Sequence, residues 1–330
     1  MAIKVFVTGG TGFVGANLVR SLLEQNYRVR ALVRPQSDCR NLDGLEIETV
    51  VGDFHSSDLA EKMQGCQVLF HCGARYSLWQ SDKDALDRDN VLGTRQVLAA
   101  ARQAGIERTV YTSSVAAIGV SEDGTPVDET HQSPVETLIG AYKKSKYWAE
   151  READEAVKLG QDIVIVNPST PIGPWDRKPT PTGDIILRFL QGNMPAYVET
   201  GLNFIDVRDV AIGHILALEK GTKGDRYILG HQNLTLQTFL SHLSQTTGIP
   251  APTRTLPLWL PLTVAWIDET LLAPLGKPPS VPLDGVRMSQ HAMYYNAAKA
   301  VRELGLPQSD IAIAITDAVQ WFREYSTSLS

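Results

Sequence analysis

The sequence has few cysteines and lacks a hydrophobic run long enough to cross a membrane. Only three cysteines occur among 330 residues, and an odd number without paired spacing is not typical of a secreted, disulfide-bonded protein. The most apolar stretch, residues 255–267, contains two prolines and is shorter than the roughly 18 residues that a spanning helix needs. The N-terminal residues show no signal-peptide pattern. We therefore expect a cytoplasmic protein without a transmembrane segment.

An excess of positive charge is also lacking. Lysine and arginine total 31 against 37 for aspartate and glutamate, giving a net charge of -6, which opposes attraction to phosphate polymers. Nucleic acid is therefore not expected as a partner. His71 and Cys72 are adjacent, but no further histidine or cysteine follows at ligand spacing, so no metal site is predicted.

Short β-branched segments alternate with helical periodicity through the first half of the chain. The first strand is predicted at residues 3–8, and apolar residues then recur at the i, i+4 spacing of a helix. Further strands are predicted at residues 29–33, 47–51, 68–71, 109–113 and 163–166. This alternation is typical of an α/β fold, a Rossmann-type doubly wound parallel sheet.

The composition changes after Asn167 and Pro168. Six prolines and three glycines lie between residues 168 and 195, and they would interrupt any long helix. We expect an NADP-binding Rossmann domain over residues 1–167, with returns of the chain near 204–230 and at 296–330. The other residues, 168–203 and 231–295, are expected to form a smaller, discontinuous substrate-binding region. Within it, residues 256–275 are interpreted as a core or pocket-lining helix rather than a membrane-surface helix, because their acidic residues would be repelled by anionic lipid.

A glycine motif lies between the first predicted strand and helix. In this position the first glycine permits a tight turn, the second lets the backbone approach a pyrophosphate, and the third lets helix and strand pack closely. An ordinary glycine-rich turn is the alternative, but the flanking strand and helix favour dinucleotide binding. The contacts predicted from this motif are Gly9, Thr11, Gly12, Phe13, Val14 and Gly15.

Cofactor preference is predicted from the end of the second strand, where Arg34 stands in place of an acidic residue. A guanidinium can pair with a 2′-phosphate that a carboxylate would repel, so NADP is favoured over NAD, with Arg40 as a further contact. A solvated surface arginine is the alternative. Residues that follow the next two strands are also cofactor candidates, namely Asp53, Phe54, Cys72, Gly73 and Ala74. Asp53 could accept the adenine amino group or cap a turn.

Ser114, Tyr142 and Lys146 are the catalytic candidates. Tyr142 and Lys146 are neighbours at i and i+4 on a predicted helix, and Ser114 follows the fifth strand. A lysine charge at about 4 Å contributes about 4 kcal/mol at an effective dielectric constant near 20. That is enough to lower the pKa of a tyrosine from about 10 towards neutrality. The alternative is a solvated, lysine-rich helix face.

Seven motifs in order resemble those of the extended short-chain dehydrogenases/reductases. They are the glycine motif, Gly52-Asp53, residues 90–94, residues 111–114, Tyr142 with Lys146, Asn167-Pro168, and residues 204–211. Residues 167–174 and 178–183 are in addition similar to dihydroflavonol 4-reductases, aldehyde reductases and, most closely, the hopanoid-associated sugar epimerases.

The resemblance implies that Ser114, Tyr142 and Lys146 form a catalytic trio and that Asn90 orders the proton-relay region. It also implies that Arg34 meets the 2′-phosphate of the cofactor. Further cofactor contacts that it implies are Thr112, Pro168, Ser169 and Thr170. Substrate contacts are expected at Tyr76, Trp79, Ala116 and Thr182, with simple packing as the alternative for the two aromatic residues. By analogy the helix that carries Tyr142 pairs with its twin in a homodimer.

Three functions compete at this point. The first is an NADP-dependent oxidoreductase that acts on a carbonyl or secondary alcohol of a small molecule. The second is a sugar epimerase that uses the same trio without net consumption of cofactor, although Gly201-Leu202-Asn203 stands where sugar-nucleotide epimerases tend to carry an arginine. The third is a non-catalytic dinucleotide-binding scaffold. Dehydration is disfavoured because Val115 and Ala116 replace the acidic pair of the dehydratases.

Overall fold

A seven-stranded parallel sheet forms the centre of the computed structural model, which describes residues 2–272 and 282–327. The strand order is β3-β2-β1-β4-β5-β6-β9, and all six strand pairs are parallel. The strands are β1 (Lys4–Thr8), β2 (Arg28–Val33), β3 (Glu48–Val51), β4 (Val68–His71), β5 (Arg108–Thr112), β6 (Ile163–Pro168) and β9 (Arg226–Leu229). The predicted Rossmann-type α/β fold is confirmed, since the order reverses between β1 and β4.

A second sheet of three strands lies outside the main one. Its order is β10-β8-β7, with β7 at Thr170–Ile172, β8 at Gly201–Asp206 and β10 at Gln232–Thr235. Strand β8 runs parallel to β7 and antiparallel to β10. Because β7 follows β6 after one residue, the chain passes directly from the main sheet into the small one.

Twelve α-helices are described in these residues. They are α1 (Phe13–Glu24), α2 (Leu59–Met63), α3 (Lys83–Leu86), α4 (Gly93–Ala104), α5 (Gly140–Lys158), α6 (Pro181–Leu190), α7 (Val207–Lys220), α8 (Leu236–Thr247), α9 (Trp259–Ile267), α10 (Leu283–Met288), α11 (Ala298–Glu303) and α12 (Ile311–Thr327). None of the described helices is long and apolar enough to cross a bilayer.

Buried side chains form cores on both faces of the main sheet and a separate core beside the small one. One face of the main sheet carries Val5, Val110 and Ile228 with residues of α1 and α7. The opposite face carries Phe6, Leu69 and Tyr111 with residues of α2, α4 and α5. Alternate residues of a strand point to opposite faces, so β strands covered on both sides are apolar throughout. The separate core centres on Phe204 and joins α6, α8 and α12.

Helix α9 departs from the prediction for residues 256–275. Trp259 is 65% exposed and Trp266 is 55% exposed, and Ala265 is the buried residue of the helix. Of the two forms of that interpretation, the core helix is therefore wrong because the segment lies at the surface, whereas α9 does line a cavity, of about 430 Å³. The apolar composition suggested burial, but the described partners of α9 cover only the face that contains Ala265. Residues 273–275 lie outside the described part of the chain.

Candidate active site

The structure brings Ser114 and Tyr142 together beyond the carboxyl end of β5. Ser114 precedes a short 3-10 turn, and its hydroxyl oxygen accepts a hydrogen bond from the Ala116 backbone N–H at 3.1 Å. Tyr142 lies in the first turn of α5, which begins at Gly140, and its hydroxyl is hydrogen-bonded to Ser114. The hydroxyls predicted to meet the reacting oxygen are thus neighbours.

Lys146 lies one turn further along α5 and is 3% exposed. Its ammonium donates a hydrogen bond to the Thr112 carbonyl oxygen at 2.9 Å and lies 5.4 Å from the centre of the Tyr111 ring. Burial lowers the pKa of Lys146 to about 8, while the nearby Glu150 carboxylate raises it. A buried positive charge therefore lies directly behind the end of β5.

The acidity expected for Tyr142 is not found in the chain alone. Burial raises the pKa of Tyr142 to about 12, and the hydrogen bond with Ser114 lowers it only in part. The lowering of this pKa expected from the Lys146 charge is not found in the chain without ligand, where the cost of burying a phenolate is larger. Tyr142 is therefore protonated at neutral pH and is equipped to donate a proton.

A buried ionic network supports the loop that carries Ser114. The Asn167 side-chain N–H group donates to the Ser114 carbonyl oxygen at 3.0 Å and to the Glu150 carboxylate at 2.8 Å. Arg226 and Arg151 approach the other carboxylate oxygen of Glu150 at 3.1 and 3.3 Å. Glu150 is fully buried and was not found from the sequence. Its position four residues after Lys146, on the same helix face, was the available signal.

Asn90 lies in a π-helical turn, Asp87–Leu92, and holds the start of α5. Its side-chain N–H group donates to the Ser145 hydroxyl at 2.9 Å, and this hydroxyl donates to the Tyr142 carbonyl oxygen at 2.8 Å. Its side-chain oxygen accepts from the Arg75 backbone N–H at 2.7 Å. Asn90 therefore connects the loop after β4 with the backbone of Tyr142.

The turn between β1 and α1 fits a dinucleotide. Gly9 has a φ of +73°, in the region that favours glycine, and a Cβ atom there would overlap the backbone of Gly73. A Cβ atom on Gly15 would overlap the Gly9 carbonyl oxygen. Helix α1 begins after Gly12 with no side-chain cap and no acidic residue in its first turn. Its backbone N–H groups and positive helix end are thus free to bind a pyrophosphate.

The predicted 2′-phosphate residues differ in their surroundings. Arg34 is exposed just beyond β2, and its guanidinium forms no hydrogen bond or ion pair within residues 2–272 and 282–327. Arg40, in contrast, makes a two-pronged ion pair with Asp38, whose Oδ2 atom lies 2.6 Å from Arg40 Nη2. Arg34 is therefore the better placed of the two to receive a phosphate.

Residues that follow β3 and β4 have structural partners of their own. Asp53 accepts the His55 backbone N–H at 2.8 Å, as a turn-capping residue does. The Phe54 ring lies 5.3 Å from His71, edge to face, and packs where Cβ atoms on Gly73 or Gly93 would stand. Their cofactor contacts remain predictions, as does that of Ala74, which is exposed beyond β4.

Thr112 and Cys72 lie in a buried hydrogen-bonded chain at the ends of β5 and β4. The Thr112 hydroxyl lies 2.8 Å from His214 Nε2 and 3.1 Å from Cys72 Sγ. His214 Nδ1 lies 2.7 Å from the Val210 carbonyl oxygen and must donate to it. Nε2 is then the acceptor, so the Thr112 hydroxyl donates to it.

The segment beyond β6 contains the remaining cofactor candidates. Pro168 ends β6 and Thr170 begins β7. Between them, the buried Ser169 hydroxyl has no hydrogen-bond partner among the described residues. A buried polar group without a partner is costly, so this hydroxyl is a candidate to meet a ligand.

The predicted substrate residues do not form one cluster of described contacts. The Tyr76 ring lies 4.5 Å from the Tyr142 ring, which places it beside the reaction centre. Ala116 is buried in the 3-10 turn that follows Ser114. Trp79 precedes another short 3-10 turn, and Thr182 is buried in the first turn of α6. Tyr76 therefore has the strongest geometric support among them.

A cavity of about 610 Å³ opens beside the start of α5. Ala141, Lys144 and Trp148 line it together with Asp284 and Arg287, and the three catalytic candidates are not among its lining residues. The candidate reaction centre at Ser114 and Tyr142 therefore lies outside the lining of this cavity.

Several known proteins are similar to this chain over nearly its whole length. A model of the NAD dependent epimerase/dehydratase family matches residues 5–230. A Synechocystis sp. protein named "Putative dihydroflavonol 4-reductase" is 68% identical over 329 residues, which cover 98% of this chain and 96% of the relative. The crystal structure of gox2253 is 44% identical with a TM-score of 0.87, covering 98% of this chain and 99% of that one. PA4631, a nucleoside-diphosphate-sugar epimerase from Pseudomonas aeruginosa, is 25% identical with a TM-score of 0.80, and 98% of each chain is covered.

Proposed function

This chain belongs to the NAD dependent epimerase/dehydratase family of extended short-chain dehydrogenases/reductases, and we propose that it is an NADP-dependent oxidoreductase. In this proposal hydride passes between the nicotinamide and a carbonyl or secondary alcohol of a small molecule. The observation that carries the proposal is the proximity of the Ser114 hydroxyl to Tyr142, where their hydrogen bond lowers the Tyr142 pKa, with the buried Lys146 one turn further along α5.

Each member of the trio has a distinct role in carbonyl reduction. Ser114 donates a hydrogen bond to the carbonyl oxygen and polarises it. Tyr142, protonated at neutral pH, gives its proton to this oxygen as the C–O double bond becomes a single bond. The nicotinamide, when bound, supplies the hydride that forms the new C–H bond. The Lys146 charge then stabilises the phenolate left on Tyr142.

NADP is proposed over NAD because of Arg34. Its guanidinium is exposed at the end of β2 without a partner in the described part of the chain, and none of residues 34–37 carries a carboxylate that would repel a 2′-phosphate. The pyrophosphate is assigned to the N–H groups at the start of α1. The other sequence-predicted cofactor residues, including Ser169 with its unpartnered hydroxyl, are proposed as contacts on the same sheet edge.

We also propose a cellular location, a homodimer and a division into two domains. The three cysteines are free thiols, which supports a reducing, cytoplasmic location. Trp148 is 48% exposed on α5, and pairing of this helix with that of a second copy would cover it in a homodimer. The division into an NADP-binding domain and a substrate-binding region is proposed from the two separate cores, and α12, which was predicted to return to the first domain, packs in the core of the second.

Steady-state assays distinguish this function from its two competitors. We expect NADPH consumption with members of a panel of aldehydes and ketones, and loss of at least about 100-fold in rate in Tyr142→Phe, with NADP binding preserved. Tyr147→Phe, on the same helix, is the matched control and should keep its rate. Isomerisation of nucleotide sugars without net cofactor consumption would instead establish an epimerase. NADP binding without turnover of carbonyls, alcohols or nucleotide sugars would refute the enzyme proposal and favour a scaffold.

A further inference from the structure

Lys143 is a buried lysine that the reaction chemistry does not use. It follows Tyr142 directly in α5 and is 6% exposed. The contact recorded for its ammonium is the Met293 sulfur atom, at 3.8 Å, and a thioether is only a weak acceptor. No carboxylate forms an ion pair with it in residues 2–272 and 282–327. Lysine is rarely buried without a partner, so this side chain requires an explanation.

The position of Met293 shows which side of the molecule the Lys143 ammonium faces. Met293 and Tyr295 belong to one extended segment, in which residues i and i+2 point the same way. The Tyr295 hydroxyl donates to the Gly119 carbonyl oxygen at 3.0 Å and approaches that of Val115 at 3.4 Å. The Tyr295 side chain therefore reaches the loop that begins at Ser114. The Met293 side chain, which contacts Lys143, lies on the same side of this extended segment.

The same segment also belongs to the small sheet. The Met293 backbone N–H donates to the Gly201 carbonyl oxygen at 2.8 Å, next to the paired residue Leu202 of β8. The Lys143 ammonium thus lies between the helix of the catalytic tyrosine and the predicted substrate-binding region. Burial lowers the pKa of Lys143 to about 8, so the group is still largely charged at neutral pH. An anion entering this place would find a desolvated cation on the residue that follows Tyr142 in α5.

We propose that Lys143 binds an oxyanion of the substrate, a carboxylate or phosphate attached close to the reacting carbonyl group. The inference rests on the proposed function, since Ser114 and Tyr142 define where that carbonyl lies. A charge-assisted hydrogen bond is strong where water is excluded. The cost of burying the Lys143 charge is therefore offset only when the anion is bound. Without an anion, the folded protein would be more stable with an apolar residue at this position.

Calorimetric titration of matched ligand pairs tests Lys143 without turnover. The probes are 4-oxopentanoate against its methyl ester, and dihydroxyacetone phosphate against dihydroxyacetone, each with saturating NADP. We expect the protein to bind at least one anion about 10- to 100-fold more tightly than its neutral counterpart. This preference should disappear in Lys143→Met and remain in Lys144→Met, which removes a neighbouring exposed lysine. The preferred pair identifies the oxyanion as carboxylate or phosphate.

The unfolding temperature supplies a second readout. Lys143→Met should unfold at a temperature equal to or above that of the parent, because it removes a buried charge without an ionic partner. Lys143→Arg keeps the charge and should retain part of the anion preference. An absent preference in the parent, or an equal one in Lys143→Met, would overturn the inference. The proposed function has a separate test, since it fails if no carbonyl compound is reduced with NADPH, even when the preference for the anion persists.

Discussion

Replacement of Glu150 by glutamine tests whether the buried ionic network supports the reaction centre. Glu150 accepts hydrogen bonds from Asn167 at 2.8 Å and Arg151 at 3.3 Å, and it forms an ion pair with Arg226 at 3.1 Å. The glutamine side chain has the same length but no charge, so the arginines lose their counterion inside the protein. Since Asn167 also holds the Ser114 carbonyl oxygen, we expect stability and activity to fall together.

The expected loss of stability follows from the number of contacts. Hydrogen bonds to a charged group contribute about 1.5–3 kcal/mol each, against about 0.5–1.5 kcal/mol for neutral ones. Two such hydrogen bonds and the ion pair with Arg226 therefore predict a decrease of about 3 kcal/mol in the free energy of unfolding for Glu150→Gln. Glu150→Ala leaves buried charge uncompensated and should lose about 3–5 kcal/mol.

Urea denaturation followed by circular dichroism measures this loss. The matched control is Glu155→Gln on the same helix, which breaks the exposed pair of Glu155 with Lys158. Exposed pairs contribute at most about 1 kcal/mol. If Glu150→Gln and Glu155→Gln were equally stable, the network would not hold the site as we infer.

The pH dependence of activity provides an independent check on Glu150. Its carboxylate raises the pKa of Lys146, which burial lowers to about 8. Without that charge the pKa of Lys146 falls further, so Lys146 loses its proton at lower pH. The alkaline limb of the kcat/KM profile should therefore move to lower pH in Glu150→Gln and stay in place in Glu155→Gln. An unmoved limb would mean that Lys146 is not sensitive to Glu150.

Three other predictions concern the cofactor site and the core. Arg34→Ala should weaken NADP binding about 10- to 100-fold more than NAD binding in fluorescence titrations. The control variant Arg28→Ala, at the other end of β2, should weaken the binding of neither cofactor. Equal losses of NADP and NAD binding in Arg34→Ala would refute the 2′-phosphate role. Gly15→Ala should abolish cofactor binding, because its Cβ atom would overlap the Gly9 carbonyl oxygen; retained binding would contradict this packing. Burial lowers the pKa of His214 to about 4. Between this value and the ordinary pKa of histidine, the unfolded chain takes up a proton that the folded chain does not. The free energy of unfolding therefore decreases as the pH is lowered through this range. Because of this histidine, the free energy of unfolding of the parent measured in urea should be about 2 kcal/mol lower at pH 5 than at pH 7, and His214→Gln should lack this contribution. An identical pH dependence of the two proteins would show that His214 is not buried in its neutral form.

Much of the fold could be predicted from local pattern. The strands predicted at residues 68–71 and 163–166 correspond to β4 and β6, because strands buried on both faces are continuous apolar runs. The segment of α9 could not be predicted in this way. Its composition is that of a core helix. Whether the helix is buried depends on whether the rest of the fold covers it, and the sequence of the helix carries no information about that.

The candidate site shows the same division. Tyr142 and Lys146 share a helix, so their spacing alone made them neighbours. The contact of Tyr142 with Ser114 depends on where α5 packs against the end of β5. It was expected from the resemblance to the short-chain dehydrogenases/reductases and not from local pattern. Glu150 and Lys143 were missed because their importance lies in burial, and a charged residue on a helix is exposed in most proteins.

Local pattern along the chain was enough to predict the parallel sheet, the glycine turn and the groups that could react, because strand period, helix period and glycine conformation act over short distances. How strongly these groups hold their protons, and which charges are removed from water, depends on contacts between distant parts of the chain. Burial sets the pKa values of Tyr142 and Lys146, and it comes from residues far away in the sequence, such as Tyr76 against the Tyr142 ring and Thr112 against the Lys146 ammonium.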